Sequence, residues 1–134
     1  PKPQNPVSRL VSLMEVKNAR NHIAIVSLYE MLGTAFFVFA FNLSKFYGVI
    51  FMLFCWLLIA QPISGGHFNP AVTLSVWLSR SRTEKCKETL VMVFMVLAQI
   101  IGAFLGIVLV WVALRYKDTL NPYGDVPSGE VRVL

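Results

Sequence analysis

The residues of this chain best suited to chemistry lie in one polar stretch, residues 64–73, which reads Ser-Gly-Gly-His-Phe-Asn-Pro-Ala-Val-Thr. Asn69 is a favoured N-cap and Pro70 a favoured first helical residue. Gly65 and Gly66 permit an irregular backbone before them. We therefore predict a helix that begins at Pro70 and runs to about residue 79, only about 15 Å at 1.5 Å per residue. A hydrocarbon core is about 30 Å thick, so this helix cannot cross a membrane.

The polar atoms of this stretch favour a filter for small neutral molecules. A non-helical backbone at membrane depth is tolerated only where protein buries it or water lines it, so we expect the carbonyls of residues 65–68 to face a wet pore. The helix N-terminus carries about half a positive charge, which repels cations. Asn69 can cap the helix with its oxygen while its NH2 group donates to passing water or hydroxyl groups. The predicted pore residues are Gly65, Gly66, His67, Asn69, Pro70 and Ala71.

His67 allows two other interpretations, a pH-sensitive gate or a metal ligand. No second His, Cys or carboxylate stands at ligand spacing beside it, so we expect a structural or pore-lining histidine and neither a metal nor a cofactor. A nucleophile with its base, paired carboxylates or a phosphate-binding loop cannot be assembled from the sequence either. An enzyme is therefore not expected.

Three apolar segments must hold this stretch in place. The 134 residues are 56% hydrophobic and 14% charged, the composition of a membrane protein. Residues 23–43 contain one charge, and residues 46–63 and 89–114 contain none, against about 20 apolar residues needed to cross a bilayer. We predict an all-α membrane protein with three transmembrane helices and one re-entrant loop and half-helix within residues 64–79.

The basic residues indicate the topology of the chain. They flank the apolar spans, which argues against nucleic acid as a partner. Eight Lys and Arg precede the first span or lie between the second and third, and four lie on the other side. We therefore expect residues 1–22 and the loop 80–88 to be cytoplasmic, and residues 115–134 to form an extramembrane loop or tail opposite. Residues 7–20 fit either an amphipathic segment on the membrane surface or a solvated lead-in.

Two polar residues within the spans are candidates for structural support. Glu30 is the only charged side chain in any span, and an intramembrane carboxylate is costly enough to be functional or paired. Gln99 could support the same site or make only an interhelical hydrogen bond. Gly33, Gly102 and Gly106 fit helix faces that approach closely, and the last two form a small-xxx-small pair.

Residues 64–73 resemble the first signature of the aquaporin and aquaglyceroporin family, Ser-Gly-Gly-His-x-Asn-Pro-Ala-Val-Thr. Residues 29–34 are similar to the Glu-x-x-Gly-Thr of the family's first helix, and residues 98–103 to the Ala-Gln-x-x-Gly-Ala of its third. The resemblance implies that Glu30, and with less support Gln99, holds the pore loop. The resemblance also implies that the half-helix dipole excludes cations, as is known for aquaporin-type pores.

The resemblance also places Val49 in the narrow constriction of the pore. The family usually has a larger aromatic residue or a histidine at this position, twenty residues before the motif asparagine. Val49 would make a roomier, apolar constriction. We therefore expect small uncharged solutes such as glycerol, as well as water, to be compatible with the pore.

The family pore is built from two inverted halves, each with three spans and a half-helix, and this chain contains one such half. The expected partners are the lipid bilayer and either a second half beyond residue 134 or a partner chain, with four monomers forming a homotetramer if the channel is complete. The leading function is a passive channel for water and small uncharged solutes that excludes ions and protons. The alternative is a non-conducting half-channel that serves as a structural or assembly subunit among other membrane proteins.

Overall fold

All four regular elements within the described part of the chain are helices. A computed structural model describes residues 6–44 and 46–120. The helices are α1 (Pro6–Leu43), α2 (Phe46–Ser64), α3 (Pro70–Ser79) and α4 (Arg82–Leu120), and these two ranges contain no strand. The predicted all-α class is confirmed, and α3 has the bounds that its sequence indicated.

Three of the helices are long and apolar enough to cross a membrane. The candidate spans are Leu13–Leu43, Phe46–Ser64 and Glu88–Tyr116. In contrast, α3 has ten residues and is about 15 Å long. Residues 6–44 and 46–120 therefore contain three candidate spans and one short apolar helix, as expected for an integral membrane protein. With 38 and 39 residues, α1 and α4 are each nearly 60 Å long at about 1.5 Å per residue, and so extend past the bilayer.

The two long helices continue where the apolar pattern ends. Residues 7–20, which fitted a surface segment or a solvated lead-in, belong to α1 and run without a break into its apolar part. At the other end of the chain, α4 continues to Leu120, so residues 115–120 are helical. The rest of the predicted tail, residues 121–134, lies outside the described residues.

The predicted loop at residues 80–88 is mostly helical, because α4 begins at Arg82. Ser81 and Glu84 form a capping box. The Ser81 N–H and Oγ donate to Glu84 Oε2 (3.0 and 2.7 Å), and the Glu84 N–H donates back to Ser81 Oγ (3.4 Å). Such reciprocal bonds satisfy backbone groups that an uncapped helix end leaves unpaired. The cap fixes the start of the helix, whereas the apolar pattern marks only where the membrane begins.

The helices α1 and α4 pack with their backbones in contact. A Cβ at Gly102 would overlap the backbone oxygen of Met31, and a Cβ at Gly106 would lie 2.6 Å from that of Ala35. These two glycines therefore serve the close approach predicted for them. The crossing also brings Glu30, next to Met31, to the level of Gln99 on α4.

The helix α2 packs on α1 and is otherwise open to its surroundings. The rings of Phe36 and Trp56 stack with centroids 5.2 Å apart, and Ala60 is the one buried residue of α2. Large side chains such as Phe51 and Leu58 are about two-thirds exposed. An apolar helix with so little protein cover presents its surface to lipid or to further protein. The C-terminal end of α2 places Ser64 within hydrogen-bonding distance of Glu30.

Candidate functional site

The chain leaves the helical conformation between α2 and α3. Gly65, Gly66 and Phe68 have φ values of +91°, +64° and +49°. Glycine adopts such angles without a steric penalty, but a phenylalanine in this region is uncommon. The resulting turn directs the N–H groups of His67 and Phe68 towards α1.

The carboxylate of Glu30, which is 0% exposed, accepts hydrogen bonds from the loop. Its Oε1 accepts hydrogen bonds from Ser64 Oγ (2.6 Å) and the His67 N–H (3.0 Å). Its Oε2 accepts from the Phe68 N–H (2.7 Å) and from Gln99 Nε2 (2.8 Å). Four donors thus surround one buried carboxylate, an arrangement that stabilises its charge through hydrogen bonds. Through these bonds Glu30 joins α1 to the loop, to the end of α2 and to α4.

A second group of hydrogen bonds connects α4 to α3 through the Thr73 hydroxyl. Gln99 Nε2 donates to Thr73 Oγ1 (2.8 Å) as well as to Glu30. Thr73 Oγ1 donates to the backbone oxygen of Asn69 (3.2 Å) and lies 3.2 Å from His67 Nδ1. The hydroxyl has a single proton, which it directs to Asn69. We therefore place a proton on His67 Nδ1, which donates to Thr73 Oγ1.

Asn69 caps α3 as its sequence predicted. It has an extended backbone, with φ −152° and ψ 126°, and its Oδ1 accepts from the Ala71 N–H (2.8 Å). Pro70, in the first turn, has no N–H that needs a partner. The Asn69 side chain is exposed, and its Nδ2 has no hydrogen-bond partner within residues 6–44 and 46–120. This amide can therefore donate to a molecule at the N-terminus of α3.

A cavity of about 310 Å³ reaches the loop from the end of the molecule where α3 ends and α4 begins. Its lining includes His22, Ser64, Gly65, His67, Thr73, Trp77, Arg80, Glu88, Met92 and Met95. Arg80 Nε and Glu88 Oε2 lie 3.5 Å apart, and both side chains are nearly half exposed. Such a pair contributes little to stability. It does place one charge of each sign at the wall of the cavity, whose other polar groups come from His22 on α1, Ser64 at the end of α2, the loop and α3.

The structure brings most of the predicted site residues together. The hydrogen bonds described above include Glu30, His67, Asn69 and Gln99, and Gly65 and Gly66 form the turn beside them. Pro70 and Ala71 are exposed in the first turn of α3. Val49 lies apart, half-buried near the start of α2, about 22 Å along the helix axis from Ser64. Within the described residues, no group of three or more His, Cys, Asp or Glu side chains could hold a metal ion.

The side chains of several site residues had no role assigned from the sequence. Ser64, Phe68 and Thr73 all lie in the stretch 64–73, so the signal was present, but their partners could not be read from it. The prediction that Gly33 lies on a close helix–helix face was wrong, because the atoms nearest to a Cβ at this position belong to the Phe68 ring. A single sequence does not reveal this contact between residues 35 positions apart.

Comparison with known proteins gives a family and a partial relative. The sequence profile of the family described as Major intrinsic protein matches residues 45–126, more than half of the chain. A curated relative from Haemophilus influenzae, named an uncharacterized aquaporin-like protein, is 41% identical over 63 residues. That match covers 47% of this chain and 26% of the relative, so the matched part spans about a quarter of the relative's length. No solved structure matches the chain.

Proposed function

We propose, since this chain belongs to the major intrinsic protein family, that it forms a passive transmembrane channel for water and small uncharged solutes and excludes ions and protons. The observation that carries the proposal is the placement of the N-terminus of α3. This helix is too short to cross a bilayer, and a non-helical loop bonded to Glu30, within α1, leads into it. A loop of this kind needs water or protein beside it. A water-filled path along the loop meets that need.

The electrostatics of α3 support exclusion of cations. Apart from His67, residues 64–79 contain no ionisable side chain that could offset the helix dipole, which places about half a positive charge at the N-terminus. The nearby negative charge of Glu30 is fully buried and surrounded by four donors, so it cannot act as a ligand for a passing cation. Neutral molecules that accept a hydrogen bond from Asn69 avoid this barrier.

Osmotic flow into liposomes tests the proposal. The full protein is reconstituted, and shrinkage is followed by light scattering after an osmotic step with an impermeant sugar. We expect water flow well above that of protein-free liposomes, with a lower activation energy. Folded, reconstituted protein that adds no flow would overturn the channel and favour a non-conducting assembly subunit.

We also propose that Val49 widens the constriction enough for glycerol-sized solutes. Val49→Phe should then reduce glycerol flux far more than water flux, because a ring narrows an opening that one water molecule still passes. Ile50→Phe is the matched control, since Ile50 is the next residue of α2 and is half-exposed. An equal loss of glycerol flux in both variants would contradict the assignment of Val49.

The surroundings of the channel follow from charge and exposure. The excess of Lys and Arg in residues 1–22 and 80–88 supports a cytoplasmic location for that end of the spans.

The exposed apolar surface of α2 supports contact with lipid and with further protein, and we propose a homotetramer as the assembly. Cross-linking in native membranes tests this: a ladder ending at four protomers supports the tetramer, and one ending at a single protomer contradicts it.

A further inference from the structure

Phe68 is held in an unusual conformation by contacts with α1. Among residues 6–44 and 46–120 it is the one non-glycine residue with a positive φ, and it is 6% exposed. A side chain in this region of φ is strained unless its neighbours hold it there. Its N–H donates to Glu30 Oε2 (2.7 Å). Its ring packs on Gly33, which lies three residues after Glu30 on α1 and therefore on the same helix face as Glu30.

The ring occupies the space that a side chain at position 33 would need. A Cβ on Gly33 would overlap Cε1 of the ring and lie 2.6 Å from Cζ. On the other edge of the ring, a Cβ on Gly66 would lie 3.7 Å from Cε2 and 3.0 Å from Leu57 Cδ2. The ring is therefore wedged between α1 on one edge and the turn of the loop beside α2 on the other.

The absence of a side chain at Gly33 leaves a notch in the surface of α1. We propose that the Phe68 ring, which occupies this notch, positions Asn69 and the N-terminus of α3. Phe68 directly precedes Asn69, so a displacement of the ring shifts the cap and the N-terminus of α3. A shift of this kind changes where the helix dipole and the Asn69 amide act. Positions 33 and 68 are thus matched in size, and filling the notch should impair ion exclusion. Only this last step rests on the proposed function.

The experiment combines Gly33→Ala and Phe68→Ala, singly and together, with two measurements on the full protein. The first is hydrogen exchange of a peptide covering residues 64–69, which reports whether the loop stays on Glu30 and does not depend on conduction. The second is the ratio of cation leak to water flow in liposomes. Gly102→Ala is the matched control, because it adds the same methyl group to another tightly packed glycine, whose Cβ would meet the backbone of Met31 at the α1–α4 contact instead of the ring.

We expect Gly33→Ala to speed exchange of the loop several-fold and to raise the leak-to-flow ratio. Gly102→Ala should lower the amount of folded protein without changing either measurement on the protein that folds. In the Phe68→Ala background, Gly33→Ala should have no further effect, because the atoms that it displaces are gone. Phe68→Ala alone should also speed loop exchange, since it removes the wedge.

Two results would overturn the proposal. One is equal loop exchange in Gly33→Ala and Gly102→Ala, and the other is an effect of Gly33→Ala that persists in the Phe68→Ala background. If Gly33→Ala gives no folded protein, the double variant decides: recovery of folded protein supports the matched pair, and no recovery contradicts it. If the native protein passes no water, the channel proposal fails while loop exchange still tests the notch.

Discussion

Replacing Glu30 with glutamine should destabilise the protein strongly, although the two side chains have nearly the same shape. Glutamine keeps one acceptor oxygen and puts an NH2 group in place of the other, where two donors converge. The least costly orientation points the NH2 towards Ser64 and His67. The Ser64 hydroxyl can then rotate so that its oxygen accepts a hydrogen bond from this NH2 group. Its own proton goes to the backbone oxygen of Ala60, 3.4 Å away. The His67 N–H has no such alternative and loses its partner.

The size of the effect follows from these contacts. An unpaired buried N–H costs about 1–3 kcal/mol. The bonds from the Phe68 N–H and Gln99 Nε2 remain, but each goes to a neutral acceptor instead of a charged one, a loss of about 1 kcal/mol apiece. No longer burying a charge offsets part of this loss. We expect the free energy of unfolding to fall by about 2–4 kcal/mol.

Thermal unfolding of the purified protein, followed by tryptophan fluorescence, measures this change. Thr34→Val is the matched control: Thr34 is also buried on α1, but its Oγ1 donates within the helix to the backbone oxygen of Glu30 (2.7 Å), and its loss should cost at most about 1 kcal/mol. We also expect Glu30→Gln to lower the yield of folded protein more than it alters selectivity. A Glu30→Gln protein as stable as Thr34→Val, or one with normal yield and altered selectivity, would show that the Glu30 carboxylate does not hold the loop.

Two further substitutions test the contacts of α3 and α4. Thr73→Val keeps the shape but leaves His67 Nδ1 and one Gln99 proton without their acceptor, so we expect a loss of about 1–3 kcal/mol in thermal unfolding; no change would contradict the bridge. Ser81→Ala removes the cap of α4 and should lower the free energy of unfolding by about 1 kcal/mol in the same assay. Thr83→Ala, at an exposed residue of the same turn, is the control and should not have this effect. Equal effects of the two substitutions would contradict the capping box.

The sequence predicted the parts of this fold that depend on neighbouring residues. The start of α3 follows from Asn69 and Pro70, which are adjacent, and the spans follow from continuous apolar runs. The start of α4 was just as local, since Ser81 and Glu84 are three residues apart. The span predicted at residues 89–114 agrees with the candidate span Glu88–Tyr116, but the helical turns before that span, whose start is set by the capping box, were not predicted.

The partners of the buried polar groups could not be predicted in the same way. Glu30 bonds to Phe68, 38 positions along the chain, and to Gln99, 69 positions along. A single sequence shows that an intramembrane carboxylate needs hydrogen-bond donors, but which donors it meets depends on how the helices cross. The contact of the Phe68 ring with Gly33 also depends on the packing of segments that are distant in the sequence. The expected role of Glu30 came from family resemblance, and its hydrogen bonds came from the structure.

The cation leak of Asn69→Asp tests whether Asn69 and the N-terminus of α3 form a filter that rejects cations. Native and variant proteins are reconstituted in matched liposomes, and cation flux and water flow are measured in the same preparation. Asn42→Asp is the control, because it makes the same charge change on an exposed residue at the end of α1, distant in sequence from the loop. We predict that Asn69→Asp raises cation flux relative to water flow and that Asn42→Asp does not. A water-conducting Asn69→Asp channel that excludes cations as well as the Asn42→Asp control does would contradict a cation filter at Asn69.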